Sequence, residues 1–259
     1  MTHLYSKQSI ESDILTIQDF PSRSDRMWFY SEVNSTMEVA REKANAECPH
    51  FTVVVSDRQT SGRGRLNRNW ISEQGGLYFT MVLRFNVALA MSPRIVFAAS
   101  YTLAHVLRNR FQVNAGLKWP NDILVQEKKI AGILAESCIQ GNSLAFMTIG
   151  IGLNVNNEPH PIDQQACSIK QITGQFVSRK TVLTWFLDEF EEMLSSDQYL
   201  ESISLWRKYA ITLNRNVAIK TPHGTVHGLA ADIDENGALI LRQENGKIEV
   251  VRFGDCFFN

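Results

Sequence analysis

The sequence predicts an α+β fold, in which a mixed β-sheet with flanking helices is followed by a small SH3-like β-barrel. Residues 93–110 and 181–194 carry apolar side chains at steps of three or four, which is typical of amphipathic helices. Short runs rich in β-branched residues, such as residues 51–56, precede and separate these helices and indicate strands. After about Leu213 the chain changes to short runs separated by two Asn-Gly pairs, a strong signal for β-hairpins.

The first part of the chain is predicted to contain six strands and the first of its helices. The strands are predicted at residues 27–30, 51–56, 77–85, 117–124, 129–137 and 145–151. Between the first two strands, Ser35 and Thr36 offer N-cap chemistry for a helix that runs to about Ala46. Pro120 cannot donate a hydrogen bond to a strand ladder, so we expect the strand at 117–124 to be broken or to lie at an edge.

The C-terminal part is predicted to form a separate small β-domain. Its strands are predicted at residues 217–220, 225–233, 238–242 and 247–252, with turn residues between them. This length suits a barrel of SH3-like size. We therefore expect an irregular extension at residues 1–26, a larger domain at 27–213 and the barrel at 214–259.

The composition excludes several classes of protein. Lys and Arg number 26 and Asp and Glu 27, so the formal net charge is −1 and no general attraction to nucleic acid or anionic membrane is expected. The four cysteines have neither CxxC spacing nor nearby histidines, so we expect free thiols in a reducing compartment. No signal peptide is indicated, and no stretch approaches the ~20 apolar residues of a membrane span. We expect a cytoplasmic protein.

The segment at residues 62–70, GRGRLNRNW, concentrates glycine, arginine and tryptophan. Glycine lets backbone N–H groups approach a ligand closely, and a guanidinium group can bind phosphate or carboxylate in a bidentate manner. The combination favours a small anionic ligand held under a loop, although Gly/Arg runs also occur in RNA-binding segments. The candidate residues of this loop are Gly62, Arg63, Gly64, Arg65, Arg68 and Trp70.

Two later segments place charged side chains close to proline or glycine. KWPND at residues 118–122 brings together a cation, an indole, an amide and a carboxylate, although a strand end followed by a turn would use the same residues. In KKIAGILAE at residues 128–136, strand alternation points Lys129 and Glu136 to defined faces, and Gly132 permits close contact with a ligand. The alternative for that segment is an edge strand protected by surface lysines.

Two further segments offer neutral hydrogen-bonding groups. GIGLNVN at residues 150–156 supplies amides, Asn154 among them, that suit a purine or ribose edge, or it is simply a glycine-rich turn. Asn34, Ser35, Thr36 and Gln59 could fix an uncharged polar head such as a urea. Helix capping alone also explains Ser35 and Thr36.

Taken together and in this order, GRGRLNRNW, KWPNDI, KKIAGILAE and GIGLNVN resemble the biotin–protein ligases, also called biotin–acetyl-CoA-carboxylase ligases or holocarboxylase synthetases. The similarity extends from about Trp28 to Phe258, including a barrel that ends in Phe253, Gly254 and Asp255. It implies a catalytic fold like that of class II aminoacyl-tRNA synthetases. It also implies that biotin and ATP give biotinyl-5′-AMP, from which biotin is transferred to one lysine of a biotin carboxyl carrier protein. ATP and Mg²⁺ are the expected co-substrate and activator, with no tightly bound cofactor.

The resemblance also assigns candidate roles to matching positions. The three catalytic candidates are Lys129 between the biotin carboxylate and the α-phosphate, Arg65 as the arginine that retains the adenylate, and Asp122 as a carboxylate near Mg²⁺ or the incoming amine. The biotin-side candidates are Ser35, Thr36, Gln59, Gly62, Arg63, Gly64, Lys129 and Gly132. The nucleotide-side candidates are Arg65, Arg68, Trp70, Lys118, Asn121 and Asn154. No metal ligand is assigned. One departure is Met37, where the family usually has Asn after Ser-Thr.

Three alternatives remain open at this point. A lipoate– or octanoyl–protein ligase resembles the same fold, but the GRGR loop and KWPND favour biotin. An RNA-binding protein is disfavoured by the near-neutral charge. A homologue that only senses biotin is disfavoured because Arg65, Lys129 and Asp122 are all present.

The resemblance also sets expectations about domains and partners. Bifunctional members of the family repress transcription through an N-terminal winged helix, and we expect this chain to be the monofunctional type without a DNA partner. A carrier subunit of acetyl-CoA carboxylase is the expected acceptor. The sequence does not distinguish a monomer from a homodimer.

Overall fold

The larger of two β-sheets forms the centre of the molecule. The computed structural model describes residues 13–84, 92–140, 143–159 and 165–258. The strands of this sheet are β1 (Met27–Val33), β2 (Thr52–Gln59), β3 (Leu77–Leu83), β4 (Gly116–Lys118), β5 (Asp122–Val125), β6 (Lys128–Gln140) and β7 (Ser143–Leu153). Their order is β1-β2-β3-β7-β6-β5-β4, and β1 and β2 run parallel while every other pair is antiparallel. The predicted mixed sheet with flanking helices is therefore confirmed.

The helices cover the two faces of this sheet unequally. They are α1 (Thr36–Asn45), α2 (Ser92–Phe111), α3 (Ile169–Thr173), α4 (Arg179–Ser195) and α5 (Ser202–Arg207). On one face, the odd-numbered residues of β3 and β7 pack into the main core with α2 and α4. On the opposite face, α1 packs over a smaller cluster formed with β2, β3 and β7. Because side chains alternate along a strand, each strand contributes to both faces.

The two long helices and the proline-containing strand follow the sequence-based prediction closely. The pattern placed four residues on the inner face of α4. Val182, Phe186 and Phe190 are buried, and Leu194 is partly buried against the main core. The segment predicted as one broken strand is a hairpin of β4 and β5, with Trp119 and Pro120 in the turn between them. The short helices α3 and α5 were not predicted, because five or six residues are too few to display a helical period. The end of the strand predicted at 77–85 lies outside the described residues.

The second sheet contains five antiparallel strands in the order β11-β10-β9-β8-β12. They are β8 (Asn216–Thr221), β9 (Gly224–Ile233), β10 (Leu239–Arg242), β11 (Ile248–Val251) and β12 (Asp255–Phe258). Both Asn-Gly pairs lie in hairpin turns, and Gly237 and Gly246 each adopt a φ of 81°. The hairpins were predicted correctly, whereas β12 was not predicted. Within the described residues, no strand pairing joins β11 to β12 to close the sheet into a barrel.

The two sheets are joined through the turn between β4 and β5. The Trp119 side chain is 1% exposed, and its indole N–H donates a hydrogen bond to the Gly237 carbonyl at 2.9 Å. Its backbone N–H donates to the Thr212 hydroxyl at 2.8 Å. The KWPND motif does bring this residue together with its polar neighbours at the cavity, but the ring itself is buried and anchors the second sheet to the first.

Residues 13–26 pack against the body of the protein, more closely than the description as an irregular extension suggests. Leu15 and Phe20 belong to the main core, and the Phe20 ring stacks on Phe29 with 5.5 Å between centroids. Asp13 forms an ion pair of 3.0 Å with Arg179, whose side chain is 1% exposed. The role of residues 1–12 lies outside the described residues.

The structure also bears on the expectations about cysteines and membrane-spanning segments. All four cysteines are free, and Cys48, Cys167 and Cys256 are buried. Among the described residues, no helix has the length and apolar character needed to cross a membrane.

We predict that Phe20→Ala lowers the free energy of unfolding by about 3 kcal/mol, because it leaves a cavity beside Phe29. Urea unfolding followed by circular dichroism measures this change. Ile14→Ala is the matched control, since Ile14 is 53% exposed and its truncation is expected to cost no more than about 0.5 kcal/mol. Equal effects of the two substitutions would show that residues 13–26 are not part of the cooperative fold.

Candidate active site

A cavity of about 370 Å³ lies on the α1 side of the larger sheet. Its wall is formed by the start of α1, the segment at residues 62–70, the β4–β5 hairpin, the strands β6 and β7, and β12 of the second sheet. A volume of this size is typical of small-molecule sites. Of the fifteen candidate residues from the sequence, fourteen line this cavity, and Gly62 is the exception.

Glycines form the floor of the cavity. Gly132 and Gly152 are paired across β6 and β7, and the Trp70 ring lies directly on them. A Cβ atom at Gly152 would stand 2.4 Å from two indole atoms, and one at Gly132 would stand 3.1 Å from the ring. At position 152 only glycine therefore permits this packing of the indole on the strand backbone, whereas at position 132 a Cβ atom would require the ring to shift by a few tenths of an ångström. The buried indole N–H has no hydrogen-bond partner among the described residues, so an acceptor on a ligand would satisfy it.

Gly62 does not line the cavity, but it joins the two ends of the segment at residues 62–70. We call residues 62–70 the Gly/Arg loop. Its ends meet where the Trp70 N–H donates to the Gly62 carbonyl at 2.9 Å, and a Cβ at Gly62 would lie 2.3 Å from the Trp70 carbonyl oxygen. Within the loop, Gly64 N–H donates to the Arg68 carbonyl at 2.7 Å, and Leu66 has a left-handed φ of 53°. The loop is therefore a compact, hydrogen-bonded turn that carries Trp70 onto the cavity floor.

A chain of neutral hydrogen bonds lies at one end of the cavity. The Gln59 side-chain oxygen accepts from the Thr36 N–H at 2.8 Å and from the Thr36 hydroxyl at 3.1 Å. The Gln59 amide group donates to the Ser72 hydroxyl at 2.7 Å, and Ser72 donates to the Trp70 carbonyl. The Thr80 hydroxyl, on β3, completes the chain by donating to Thr36 at 2.8 Å. These bonds fix polar groups without placing a charge at this end of the cavity.

The start of α1 closes this neutral end. Ser35 is the N-cap of α1, and its hydroxyl accepts a hydrogen bond from the Met37 N–H at 3.3 Å. Ser35 therefore both caps α1 and lines the cavity, two roles that the sequence left as alternatives. The Met37 thioether packs on Gly150, where a Cβ would lie 2.6 Å from its sulfur. Met37 thus fills space beneath the cavity with an apolar group.

The charged centre of the cavity is an ion pair between Lys129 and Asp122. Their Nζ and Oδ1 atoms are 2.7 Å apart, and the ammonium group lies 5.2 Å from the centroid of the Trp70 ring. Asp122 begins β5 and Lys129 lies near the start of β6, so the tight hairpin between these strands brings the two side chains together. The Asp122 side chain is 24% exposed and the Lys129 side chain is 32% exposed, so both are accessible from the cavity.

Arg65 and Arg68 reach from the Gly/Arg loop to the second sheet. Arg65 donates to the Asn121 side-chain oxygen and to the Gly254 carbonyl, each at 3.2 Å. Arg68 forms an ion pair with Asp255. Burial lowers the pKa of the Arg65 guanidinium while the Asp122 carboxylate raises it, and arginine remains charged at neutral pH. Sequence reasoning gave Gly254 and Asp255 no role in the site, because they lie 189 and 187 residues after Arg65 and Arg68 in the chain.

The remaining candidates differ in how freely their side chains face the cavity. Arg63 lines it, but its guanidinium binds Glu136 on β6 at 2.6 Å. Lys118 lies 4.9 Å from the centroid of the Phe258 ring. The amide of Asn154 is already engaged, since it donates to the Cys167 carbonyl and accepts from Asn157. A purine or ribose would therefore have to compete for the Asn154 side chain.

Cys256 also lines the cavity, but its thiol is unsuited to nucleophilic attack. Burial raises its pKa to about 11, so the thiol is protonated at neutral pH. This thiol is therefore not a candidate for a covalent intermediate.

Comparison with protein-family models gives two matches. Residues 28–154 match the biotin/lipoate A/B protein ligase family, and residues 212–259 match the biotin protein ligase C terminal domain. The first match contains the Gly/Arg loop, the β4–β5 hairpin and both glycine-bearing strands, and the second contains Asp255.

Curated proteins and solved structures give consistent similarities. The chain is 32% identical to the bifunctional ligase/repressor BirA of Bacillus subtilis over 84% of this chain and 70% of that protein. It is 30% identical to the biotin–[acetyl-CoA-carboxylase] ligase of Paracoccus denitrificans over 79% of this chain and 89% of that protein. Among structures, the biotin protein ligase of Aquifex aeolicus in complex with biotin and ATP superposes with a TM-score of 0.75 at 28% identity, covering 90% of this chain and 98% of that one.

We predict that Gly152→Ala destabilises the protein by about 1–3 kcal/mol, because the new methyl group overlaps the Trp70 indole. The urea midpoint measures the change. The same substitution in a Trp70→Ala background is expected to cost much less, since the ring is gone. An equal cost in both backgrounds would mean that Gly152 does not support Trp70.

Proposed function

Because the chain belongs to the biotin protein ligase family, we propose that it forms biotinyl-5′-AMP from biotin and ATP and transfers biotin to one lysine of a biotin carboxyl carrier domain. The observation that carries this proposal is the grouping of Lys129, Asp122 and Arg65 in one cavity whose opposite end is neutral and hydrogen-bonding. Biotin has the same division, with an uncharged ureido ring at one end and a carboxylate at the other.

The neutral end of the cavity suits the ureido ring. The preorganised groups of Thr36 and Gln59, next to the buried Ser35, can exchange hydrogen bonds with an uncharged polar ring without burying a charge. The apolar Met37 would pack beneath the ring system in place of the amide usual in the family. The Trp70 ring and the backbone at Gly132 would flank the tail that leads to the carboxylate.

In the first step, a biotin carboxylate oxygen attacks the α-phosphorus of ATP. A carboxylate–phosphorus bond forms, the bond from the α-phosphorus to the bridging oxygen breaks, and pyrophosphate leaves with the electron pair. Lys129 would stabilise the charge that passes between the carboxylate and the α-phosphate, a role supported by its position in the charged centre of the cavity. Its ion pair with Asp122 fixes the ammonium group before the substrates arrive.

The nucleotide is proposed to occupy the side of the cavity near the second sheet. Arg65, Arg68 and Lys118 supply positive charge there, and Asn121 holds Arg65 through a hydrogen bond. The phosphates would compete with Asp255 for Arg68 and with the Gly254 carbonyl for Arg65. Arg65 would afterwards retain the adenylate by its charge and by holding the Gly/Arg loop over it.

The side chains present fit a Mg²⁺ ion that arrives with the phosphates. Mg²⁺ in nucleotide sites is commonly held by one or two carboxylates together with phosphate oxygens and water. Asp122 is the cavity carboxylate proposed to contact it, while the described residues contain no cluster of three or more His, Cys, Asp or Glu side chains for a site made of protein alone. When bound, the ion would neutralise phosphate charge during transfer.

In the second step, the ε-amine of the carrier lysine attacks the acyl carbon of biotinyl-5′-AMP. A carbon–nitrogen bond forms, the bond to the phosphate oxygen breaks, AMP leaves and the amine loses a proton. Asp122 is the carboxylate that we propose orients the amine and favours loss of its proton. The acceptor is proposed to be a carrier domain of acetyl-CoA carboxylase, as the name of the Paracoccus denitrificans relative suggests.

The direct test is exchange of labelled pyrophosphate into ATP, with biotin, lipoate and octanoate as parallel substrates. We expect exchange with biotin alone. Exchange with lipoate or octanoate would instead assign the chain to the lipoate branch of the same family, and no exchange with any acid would contradict adenylation.

In the same assay, Lys129→Ala is expected to lower biotin-dependent exchange about 100- to 1,000-fold, because it removes a fixed charge at the developing negative charge. The neighbouring exposed Lys128 provides the control, and Lys128→Ala is expected to exchange at nearly the wild-type rate. Near-normal exchange by the Lys129 variant would overturn the role given to this residue.

Arg65→Gly is expected to release biotinyl-5′-AMP into solution, because it removes the charge and the hydrogen bonds that join the loop to Asn121 and Gly254. Biotinylation of bystander lysines on serum albumin, detected by streptavidin blotting, measures this leakage. We expect labelling about tenfold or more above that of the wild type, for a loss of charged hydrogen bonds near the reacting group. Labelling restricted to the carrier lysine would contradict the assignment.

A further inference from the structure

Glu136 lies between two arginines that come from different parts of the chain. Its Oε1 atom accepts a hydrogen bond from Arg63 of the Gly/Arg loop at 2.6 Å. Its other carboxylate oxygen accepts one from Arg41 on α1. The carboxylate is 23% exposed, whereas the Arg63 and Arg41 side chains are 38% and 54% exposed. One half-buried carboxylate therefore links β6 to the loop and to α1.

The position of Glu136 follows from strand alternation along β6. Gly132, Leu134 and Glu136 are spaced by two residues and point to the same face of the sheet. Gly132 and Leu134 line the cavity, whereas Glu136 lies beyond its wall. The carboxylate is thus too far along the strand to line the site, yet it holds a residue that does so.

We propose that Glu136 is a positioning residue, whose carboxylate holds Arg63 and thereby keeps the biotin-side half of the Gly/Arg loop closed over the cavity. This inference rests on the proposed function for its kinetic consequences. The other half of the loop is held separately, by Arg65 and Arg68 at the second sheet. The two halves therefore have separate attachments. The first is held at β6 by Glu136, and the second is held at the smaller sheet and by the bond from Arg65 to Asn121.

Loss of the Glu136 attachment changes binding and leaves the chemical step intact. Arg65, Lys129 and Asp122 keep their contacts, so the rate at saturating biotin is preserved. The open loop must be ordered when biotin binds, which raises the KM for biotin. A charge-assisted hydrogen bond between partly exposed groups corresponds to a change of about three- to tenfold.

Opening of the Gly/Arg loop can be measured by trypsin cleavage. Arg63, Arg65 and Arg68 are trypsin sites, and cleavage requires that the loop leave its compact turn. In Glu136→Gln, which keeps the shape of the side chain but removes its charge, we expect cleavage within residues 62–70 to become about three- to tenfold faster. The KM for biotin in the exchange assay is expected to rise by a similar factor, with kcat within about twofold of wild type.

Arg41→Gln is the matched control, because it removes the second partner of Glu136 and leaves the bond to Arg63 intact. We expect its cleavage rate and KM to stay within about twofold of wild type, as for an exposed ion pair outside the site. If Glu136→Gln behaves like Arg41→Gln, the proposal is wrong. It is also wrong if Glu136→Gln lowers kcat while the cleavage rate and KM remain unchanged.

Two further measurements keep the inference separate from folding and from the proposed function. Should Glu136→Gln fail to fold, Arg63→Gln cuts the same ion pair. Because that variant also loses the trypsin site at residue 63, cleavage is compared after Arg65 and Arg68 alone, and an unchanged rate there would overturn the proposal. Where both fold, the double variant is expected to show no more cleavage after these two arginines than either single variant. Absence of biotin-dependent exchange in the wild type would refute the ligase function, while faster cleavage in Glu136→Gln would still support the attachment of the loop.

Discussion

The packing of the Trp70 indole on the bare backbone of β6 and β7 is the contact on which the site depends. It requires glycine at position 152, where a Cβ atom would occupy the space of the ring, and it is tight at the paired Gly132, where a Cβ atom would push the ring by a few tenths of an ångström. The indole in turn fixes one end of the Gly/Arg loop, whose ends are joined at Gly62. The sheet therefore supplies a rigid floor, and the loop supplies a lid whose position is set by one aromatic side chain.

Charge in the cavity is balanced before any substrate binds. Arg63, Arg65 and Arg68 each bind a carboxylate, a side-chain amide or a backbone carbonyl, and Lys129 binds Asp122. Arg65 and Lys129 are partly buried and would cost free energy without partners, whereas Arg63 and Arg68 are exposed and are held in place by theirs. In the proposed reaction, the phosphates and the biotin carboxylate would replace some of these partners. Binding is then an exchange of anionic partners around fixed cations, which limits the reorganisation needed during catalysis.

Neutral hydrogen bonds organise the opposite end of the cavity by a different principle. Gln59 uses both its oxygen and its amide group within the protein, so its orientation is fixed without any ligand. The same network reaches Trp70 through Ser72, and it therefore connects the neutral end to the cavity floor. The separation of a neutral end from a charged centre matches a substrate with a polar uncharged ring and a reactive carboxylate, which supports biotin as the acid in the proposed reaction.

The sequence by itself determined most of the strands and the long helices, because alternation and helical period are local properties of the chain. It missed β12 and treated β4 and β5 as one broken strand. It also determined the candidate residues, since the Gly/Arg loop, KWPND and Lys129 occur within short, distinctive motifs. Only the tertiary structure decided which partner each side chain has. Arg68 binds Asp255, which lies 187 residues away in the sequence, and Arg63 binds Glu136, which lies 73 residues away. No local pattern encodes either contact. Trp119 shows the same limit, because nothing in its motif indicates that the contact between the two sheets buries the ring. Local periodicity predicts elements, but burial and partners depend on how distant elements pack together.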